Sequence, residues 1–216
     1  MNQQKQYYHQ RAKEYEQVYK KPERQEDLKK LHTYVQEQAV GKKIVEIACG
    51  TGYWTKTLAE SGKTMHACDY NKAVLEIAKE KKYGTTPVTF QQIDVWKLQP
   101  PKTLYDLVFG GFIWSHILKE RLPDFIKLLW KQVHKNGSLL MIDNRYVEGS
   151  STPIARTDEM GNTYQMRRLA NGDEFEVLKN FPEQKEVYGA LKEMGLTIEW
   201  IDLEYYWVLK INEQIV

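Results

Sequence analysis

The sequence predicts an α/β fold, a mostly parallel sheet with helices packed on both faces. The first observation is local: Ile44-Val45-Glu46-Ile47 is an apolar, β-branched run that feeds through Ala48-Cys49-Gly50-Thr51-Gly52 into a helix start at Tyr53-Trp54. The second is global, since apolar runs alternate with amphipathic stretches downstream, the order that makes strands parallel. The third is size. A chain of 216 residues suits one such domain with a proper core and hardly two.

Ahead of that unit, Tyr8, Ala12, Tyr15 and Tyr19 share one face of a predicted helix over 6–20, which Pro22 breaks. Leu28, Leu31 and Val35 mark a second amphipathic helix closed by Gly41. Residues 1–40 are therefore expected to form a helical cap. After the glycine loop, Trp54 and Leu58 share a helix face that ends at Gly62. Met65–Asp69 is the second strand, and Asn71 is suited to cap the next helix, whose buried stripe is Val74, Leu75, Ile77 and Ala78. Val88–Val95 is the third strand and Tyr105–Gly111 the fourth. Pro123 opens a helix with Phe125, Ile126, Leu129, Trp130 and Val133 inward, closed by Gly137, and Ser138–Asp143 is the fifth strand.

The alternation then stops. Gly149-Ser150-Ser151-Thr152-Pro153 is loop chemistry, and Thr163–Arg168 with Glu174–Leu178 flank Asn171-Gly172 as a β-hairpin, so 145–181 is expected as an insertion over an acceptor site. A helix with Val187, Leu191 and Met194 inward ends at Gly195, and Leu196–Glu204 and Tyr205–Ile211 are the last strands. One domain, 1–216, is expected.

Composition narrows the function. At 42% hydrophobic and 28% charged residues the chain is that of a soluble globular protein, with no apolar run of the roughly 20 residues a membrane span needs. The start has no apolar segment resembling a secretory signal, so a cytoplasmic protein is expected. A net charge of +2 with interspersed signs argues against a nucleic-acid partner. Cys49 and Cys68 are too few for a zinc site, and no metal is expected. Monomer and homodimer both stay open.

The glycine loop lacks the lysine of a triphosphate cradle, and as a dinucleotide loop it is incomplete, with Ala48 at the first glycine and Thr55 at the third. Glu46-x-Ala48-Cys49-Gly50-Thr51-Gly52 instead resembles motif I of the class I S-adenosylmethionine-dependent methyltransferases, in the form also seen in glycine N-methyltransferase-like members. Acids ending the second and third strands, Asp69 and Asp94, and the strand Tyr105–Gly111 match in family order. The resemblance covers about residues 40 to 145 strongly. It implies a Rossmann-like, seven-stranded, mostly parallel sheet with an antiparallel last strand, and S-adenosylmethionine as cofactor.

The resemblance also implies roles. Asp69 would accept from the ribose hydroxyls, with Tyr70 beside it. Asp94 would take the adenine amine while the ring packs on Val95. Ala48, Cys49 and Gly50 would lie along the amino-acid portion, and Glu46 would order the loop or reach the cofactor through water. Arg24 stands at a spacing similar to the family's carboxylate-binding arginine. Tyr19 and Tyr15 would cover the site from the cap, where aromatic faces attract a sulfonium, and Phe109 would line it from the fourth strand.

Methyl transfer from a sulfonium is an in-line displacement that needs alignment and exclusion of water, with a base optional. His116, just past the fourth strand, is the candidate base. Trp114, Arg145, Tyr146 and Arg168 are candidate acceptor contacts, and arginines of the insertion, Arg156, Arg167 and Arg168, suit a carboxylate or phosphate. The segment Phe109-Gly110-Gly111-Phe112 is not the Asn/Asp-Pro-Pro-aromatic sequence of exocyclic-amine base methyltransferases, so a small-molecule acceptor is expected. The alternatives are a catalytically silent S-adenosylmethionine-binding module and a nicotinamide-dependent oxidoreductase.

Overall fold

The computed structural model describes residues 3–213 and places seven strands in one sheet. In chain order these are β1 (Lys43–Ile47), β2 (Thr64–Asp69), β3 (Val88–Gln92), β4 (Tyr105–Gly111), β5 (Val133–Asn144), β9 (Leu196–Asp202) and β10 (Tyr206–Glu213). A separate antiparallel sheet holds β6 (Arg156–Thr157), β7 (Thr163–Arg168) and β8 (Glu174–Leu178). The large sheet runs β3-β2-β1-β4-β5-β10-β9, with β10 antiparallel to both of its neighbours and the other pairs parallel. The order reverses between β1 and β4, and at that point a crevice opens beyond the carboxyl ends of the strands.

Strand periodicity divides the core in two. Val45, Ile47, Val108, Leu139, Met141, Trp207 and Leu209 pack on one face of the sheet. Their alternates Ile44, Leu107, Phe109, Leu140, Ile142, Tyr206 and Val208 pack on the other. Both sets are buried, which is why these strands read as continuous apolar runs.

Helices α1 (Gln3–Gln10), α2 (Gln25–Ala39), α3 (Tyr53–Ala59), α4 (Lys72–Lys79), α5 (Leu122–Trp130) and α6 (Gln184–Leu191) complete the fold. Asn71 caps α4 through Ala73 N–H, at 3.0 Å, as its position in the sequence predicts. Three differences have local causes. The helix expected over 6–20 is α1 followed by a 3₁₀ segment, Ala12–Lys20, which turns the tyrosine stripe toward the sheet. The helix expected to run to Gly137 ends at Trp130, because Val133 already pairs with Tyr105 in β5. Gly137 sits where an added Cβ would lie 2.8 Å from the His134 carbonyl oxygen, so it serves the strand's irregular entry and not a helix end. The hairpin gains a third strand, β6, on β7.

α1 packs on β8, with the Tyr7 and Phe175 rings 5.9 Å apart and Glu176 N–H donating to Gln3 at 3.0 Å. The first helix and the inserted sheet thereby stand together over the sheet's carboxyl edge.

Candidate active site

The loop after β1 is shaped by backbone conformation. Ala48 and Gly50 both have φ of +55°, and Gly52 has φ of +82°. At Gly52 an added Cβ would fall 2.3 Å from the Tyr83 hydroxyl, so glycine is required there on two counts. Asp69, at the end of β2, accepts from Gly50 N–H at 2.9 Å and from Asn71 N–H at 2.7 Å. It thus ties the loop to the start of α4. Burial pushes its carboxyl above the ordinary value, against the pull of those N–H donors.

In front of this loop lies a cavity of about 340 Å³ lined by Ala48, Gly50, Asp69, Tyr70, Asp94, Val95, Gly111, Phe112 and His116. Asp94 caps a 3₁₀ turn by accepting from Trp96 N–H at 3.1 Å, so its carboxylate is set by the backbone just past β3. Lys5 reaches in from α1, 3.7 Å from Asp94 and 3.8 Å above the Tyr70 ring. The Asn71 Nδ2 is buried there with no partner. Opposite the loop, Tyr15 lies 3.4 Å from the position a Gly50 Cβ would take.

A second cavity, about 270 Å³, meets the first at Tyr8, Tyr15, Phe112 and His116. Phe112 has φ of +61°, uncommon for a bulky residue, and its N–H is held by the Ile142 carbonyl at 2.8 Å. His116 donates from Nδ1 to the Leu178 carbonyl at 2.7 Å, which leaves Nε2 to accept from the Tyr8 hydroxyl at 2.8 Å. Burial, with the Lys179 ammonium nearby, holds the imidazole well below its ordinary pKa, so it is neutral near pH 7. Lys179 is itself buried, bonded to Asp143 at 2.9 Å and to Ser115 at 2.6 Å. Burial pushes the Asp143 carboxyl up, but the Lys179 ammonium and two backbone N–H donors outweigh it and keep it ionised.

The sequence expectations are met unevenly by this geometry. Ala48, Gly50, Asp69, Tyr70, Asp94, Val95 and His116 meet on the first cavity. Tyr19 and Arg24 do not line it; they line the second, Tyr19 stacked on Tyr53 at 3.8 Å and Arg24 bonded to Ser150 and Asn144. Glu46 and Cys49 are buried behind the loop. Glu46 accepts the Thr55 hydroxyl at 2.5 Å, and burial raises its carboxyl to about 8, so it is a protonated support for α3. Burial likewise pushes the Cys49 thiol far up, which removes it as a nucleophile.

Phe109 is corrected to core: two residues short of the strand end, it points into the layer that holds Trp54. Trp114 is also core, fully buried with its ring 5.7 Å from Trp207. Arg145 turns away to the Leu203 carbonyl and Asp202, and Arg168 is exposed on the hairpin. Tyr146 is 41% exposed and lines neither cavity; its ring packs edge-on against Phe181, 5.3 Å away. Arg156 pairs with Glu176 on the outer face of the small sheet. His32 is half-buried and bonded to Thr57 and Tyr53. Tyr8, Phe112 and Lys179 were not legible as site residues. The one usable signal was Lys179, a lysine directly following the alternating strand residues Phe175-Glu176-Val177-Leu178.

Comparison with known proteins bears on the domain and the fold. Residues 44–137 match the family model described as a methyltransferase domain. An uncharacterized methyltransferase of Anoxybacillus flavithermus is 25% identical over 133 residues, spanning 61% of this chain and 60% of that protein. A ubiquinone biosynthesis O-methyltransferase of Histophilus somni is 31% identical over 116 residues, 48% of each chain. Among solved structures, one described as a DhpI-SAM-HEP complex superposes with a TM-score of 0.78 at 21% identity, covering 97% of this chain and 96% of that one. That last likeness is one of fold.

Proposed function

We infer that this chain is a class I S-adenosylmethionine-dependent methyltransferase, a reading supported by the matched methyltransferase domain and the shared fold, and that it methylates a small molecule bound beside the cofactor. The observation that carries the reading is the meeting of two cavities at one wall, Tyr8, Tyr15, Phe112 and His116. The volumes suit small ligands. Helix α1 and the inserted sheet stand over the junction, which suits a reaction that must exclude water.

The first cavity fits S-adenosylmethionine. Asp69 keeps lone pairs on both oxygens beyond its two backbone bonds, as a ribose diol requires. Asp94 with Val95 supplies an acceptor beside an apolar surface for adenine. The buried, unpartnered Asn71 Nδ2 is a donor that a ligand acceptor would satisfy. Ala48 and Gly50 leave the loop backbone open to the amino-acid part. When bound, the cofactor supplies a methyl carbon on a positively charged sulfur, already activated for displacement.

This chain's own residues then align the acceptor and handle its proton. Tyr15 and Phe112 hold the junction closed on two sides. His116 offers an Nε2 lone pair to an acceptor hydroxyl that takes the place of the Tyr8 hydroxyl. As a neutral and weakly basic imidazole it suits acceptors that are already acidic. Two free, buried thiols support a reducing, cytoplasmic setting. Among the described residues no helix is long and apolar enough to cross a membrane, and no group of three or more His, Cys, Asp or Glu is placed to hold a metal.

Calorimetry with S-adenosylmethionine, S-adenosylhomocysteine and NAD tests the reading. Micromolar binding of the first two without NAD is expected, followed by turnover on a panel of small acceptors. Binding of NAD alone would overturn it.

A further inference from the structure

The second cavity is lined by five cationic side chains, Arg11, Lys21, Arg24, Arg167 and Lys179, and by no acid. Lys179 is neutralised by Asp143. The other four form no ion pair with a carboxylate among the described residues. Their partners are neutral. Arg24 donates to the Ser150 hydroxyl at 2.9 Å and the Asn144 side-chain oxygen at 3.1 Å, and lies over the Tyr205 and Tyr206 rings. Arg167 donates to Gln165 at 2.5 Å, Arg11 to the Tyr7 hydroxyl at 2.7 Å, and Lys21 to the Ser150 carbonyl.

Arg24 decides the matter, since its residue is only 5% exposed. A buried guanidinium without a counter-charge is costly, and folded proteins pair such groups. Glu23, on the same turn, accepts from the Ser150 hydroxyl and pulls on Lys21 and Arg24 from a distance, but it is exposed, screened by solvent and in no ion pair with either among the described residues. The excess is felt inside the cavity: burial and the Arg24 guanidinium hold the Lys21 ammonium below its usual pKa. The cofactor does not supply the counter-charge either, because its one carboxylate is outnumbered by its own ammonium and sulfonium. Even with Arg24 given to that carboxylate, three cations remain.

Building on the function proposed above, we infer that the acceptor carries an oxyanion group, a carboxylate or a phosphoryl, held in this cavity by Arg24 and Arg167 with Lys21 and Arg11 flanking it. Both arginines offer planar donor sets suited to two oxygens of one anion. A cavity of about 270 Å³ takes a small anion and not a polyanionic chain. Outside it, charges of both signs are interspersed along the sequence.

The test is calorimetry on the full chain with S-adenosylhomocysteine present, titrated with inorganic phosphate and separately with malonate at fixed ionic strength. At least one anion should bind at millimolar concentration or tighter. Arg167→Gln should weaken it tenfold or more; this residue is half-buried and, among the described residues, its side chain bonds only to Gln165, so the fold should survive. Arg24→Gln should do the same if it folds. Preference for phosphate points to phosphoryl acceptors, and preference for malonate to carboxylates. No binding of either anion, or equal binding to Arg167→Gln, overturns the inference. The preceding titration separates the two readings: failure of S-adenosylhomocysteine to bind counts against the cofactor assignment, and the anions are then titrated into the chain alone.

Discussion

Replacing Asp69 by alanine tests the cofactor assignment at its best-defined side chain. Each carboxylate oxygen already accepts one backbone N–H, from Gly50 or Asn71, and has a lone pair left for a ligand hydroxyl. Hydrogen bonds to a charged group are worth about 1.5–3 kcal/mol each. Two hydroxyls shared with two backbone donors in a half-buried site should sum to less than twice that. A loss of about 2 kcal/mol is expected, roughly thirtyfold in affinity for S-adenosylhomocysteine by calorimetry. The same substitution unties the glycine loop from α4, so the urea midpoint should fall as well. A variant that keeps its circular dichroism and its affinity would refute the reasoning outright.

Other substitutions probe separate parts of the site. Glu46 is protonated in the fold, with its carboxyl raised to about 8 by burial, whereas the unfolded chain loses that proton near 4.5. The folded state therefore binds more protons between those values, and stability falls as pH rises through that window; Glu46→Gln should flatten this fall in urea titrations from pH 5 to 8. His116 has the opposite sign: its depressed pKa costs stability as pH drops below about 6.5. His116→Ala should remove that dependence and slow methyl transfer while cofactor affinity stays within about twofold. A silent rate would return the histidine to a structural part. Lys179→Met leaves the Asp143 carboxylate buried and unpaired, and should cost about 3–5 kcal/mol in urea unfolding. Lys179→Met with Asp143→Leu should recover part of it, and a single variant as stable as the parent would show that the pair is not coupled.

The fold was legible because its signals are local. Strand periodicity, Asn71 as a cap and Asn171-Gly172 as a turn each depend on a few neighbouring residues. So does the first cavity, because a βα-loop and the ends of two adjacent strands bring Ala48, Gly50, Asp69 and Asp94 together from segments whose order the sequence displays. The misreadings come from ±2 residues along a strand or helix. Phe109 and Trp114 are core and Phe112 is site because β4 ends at Gly111 and a left-handed residue then reverses the side-chain alternation. Nothing in Gly110-Gly111-Phe112-Ile113 fixes which of its neighbours inherits the cavity.

The second cavity was illegible for a different reason, and the arginines show it. Arg24, Arg167 and Arg168 carry no sequence signal that tells a buried arginine from an exposed one: Arg24 lies among charged residues, and Arg167 and Arg168 sit together between Met166 and Leu169. Arg24 is buried because the loop carrying Ser150 closes over it and the Tyr205-Tyr206 rings stack beneath it, contacts more than 120 positions away along the chain. Arg167 and Arg168 differ by one place on β7, and strand alternation alone sends one toward Gln165 and the cavity and leaves the other in solvent. Which face of β7 is inward depends on how α1 docks on β8, through Tyr7 and Phe175. The cationic pocket is thus a property of tertiary register. A one-residue slip in β7 that brought Met166 to the place of Arg167 would take that cation out of the pocket, whereas the same slip would leave every local motif in place.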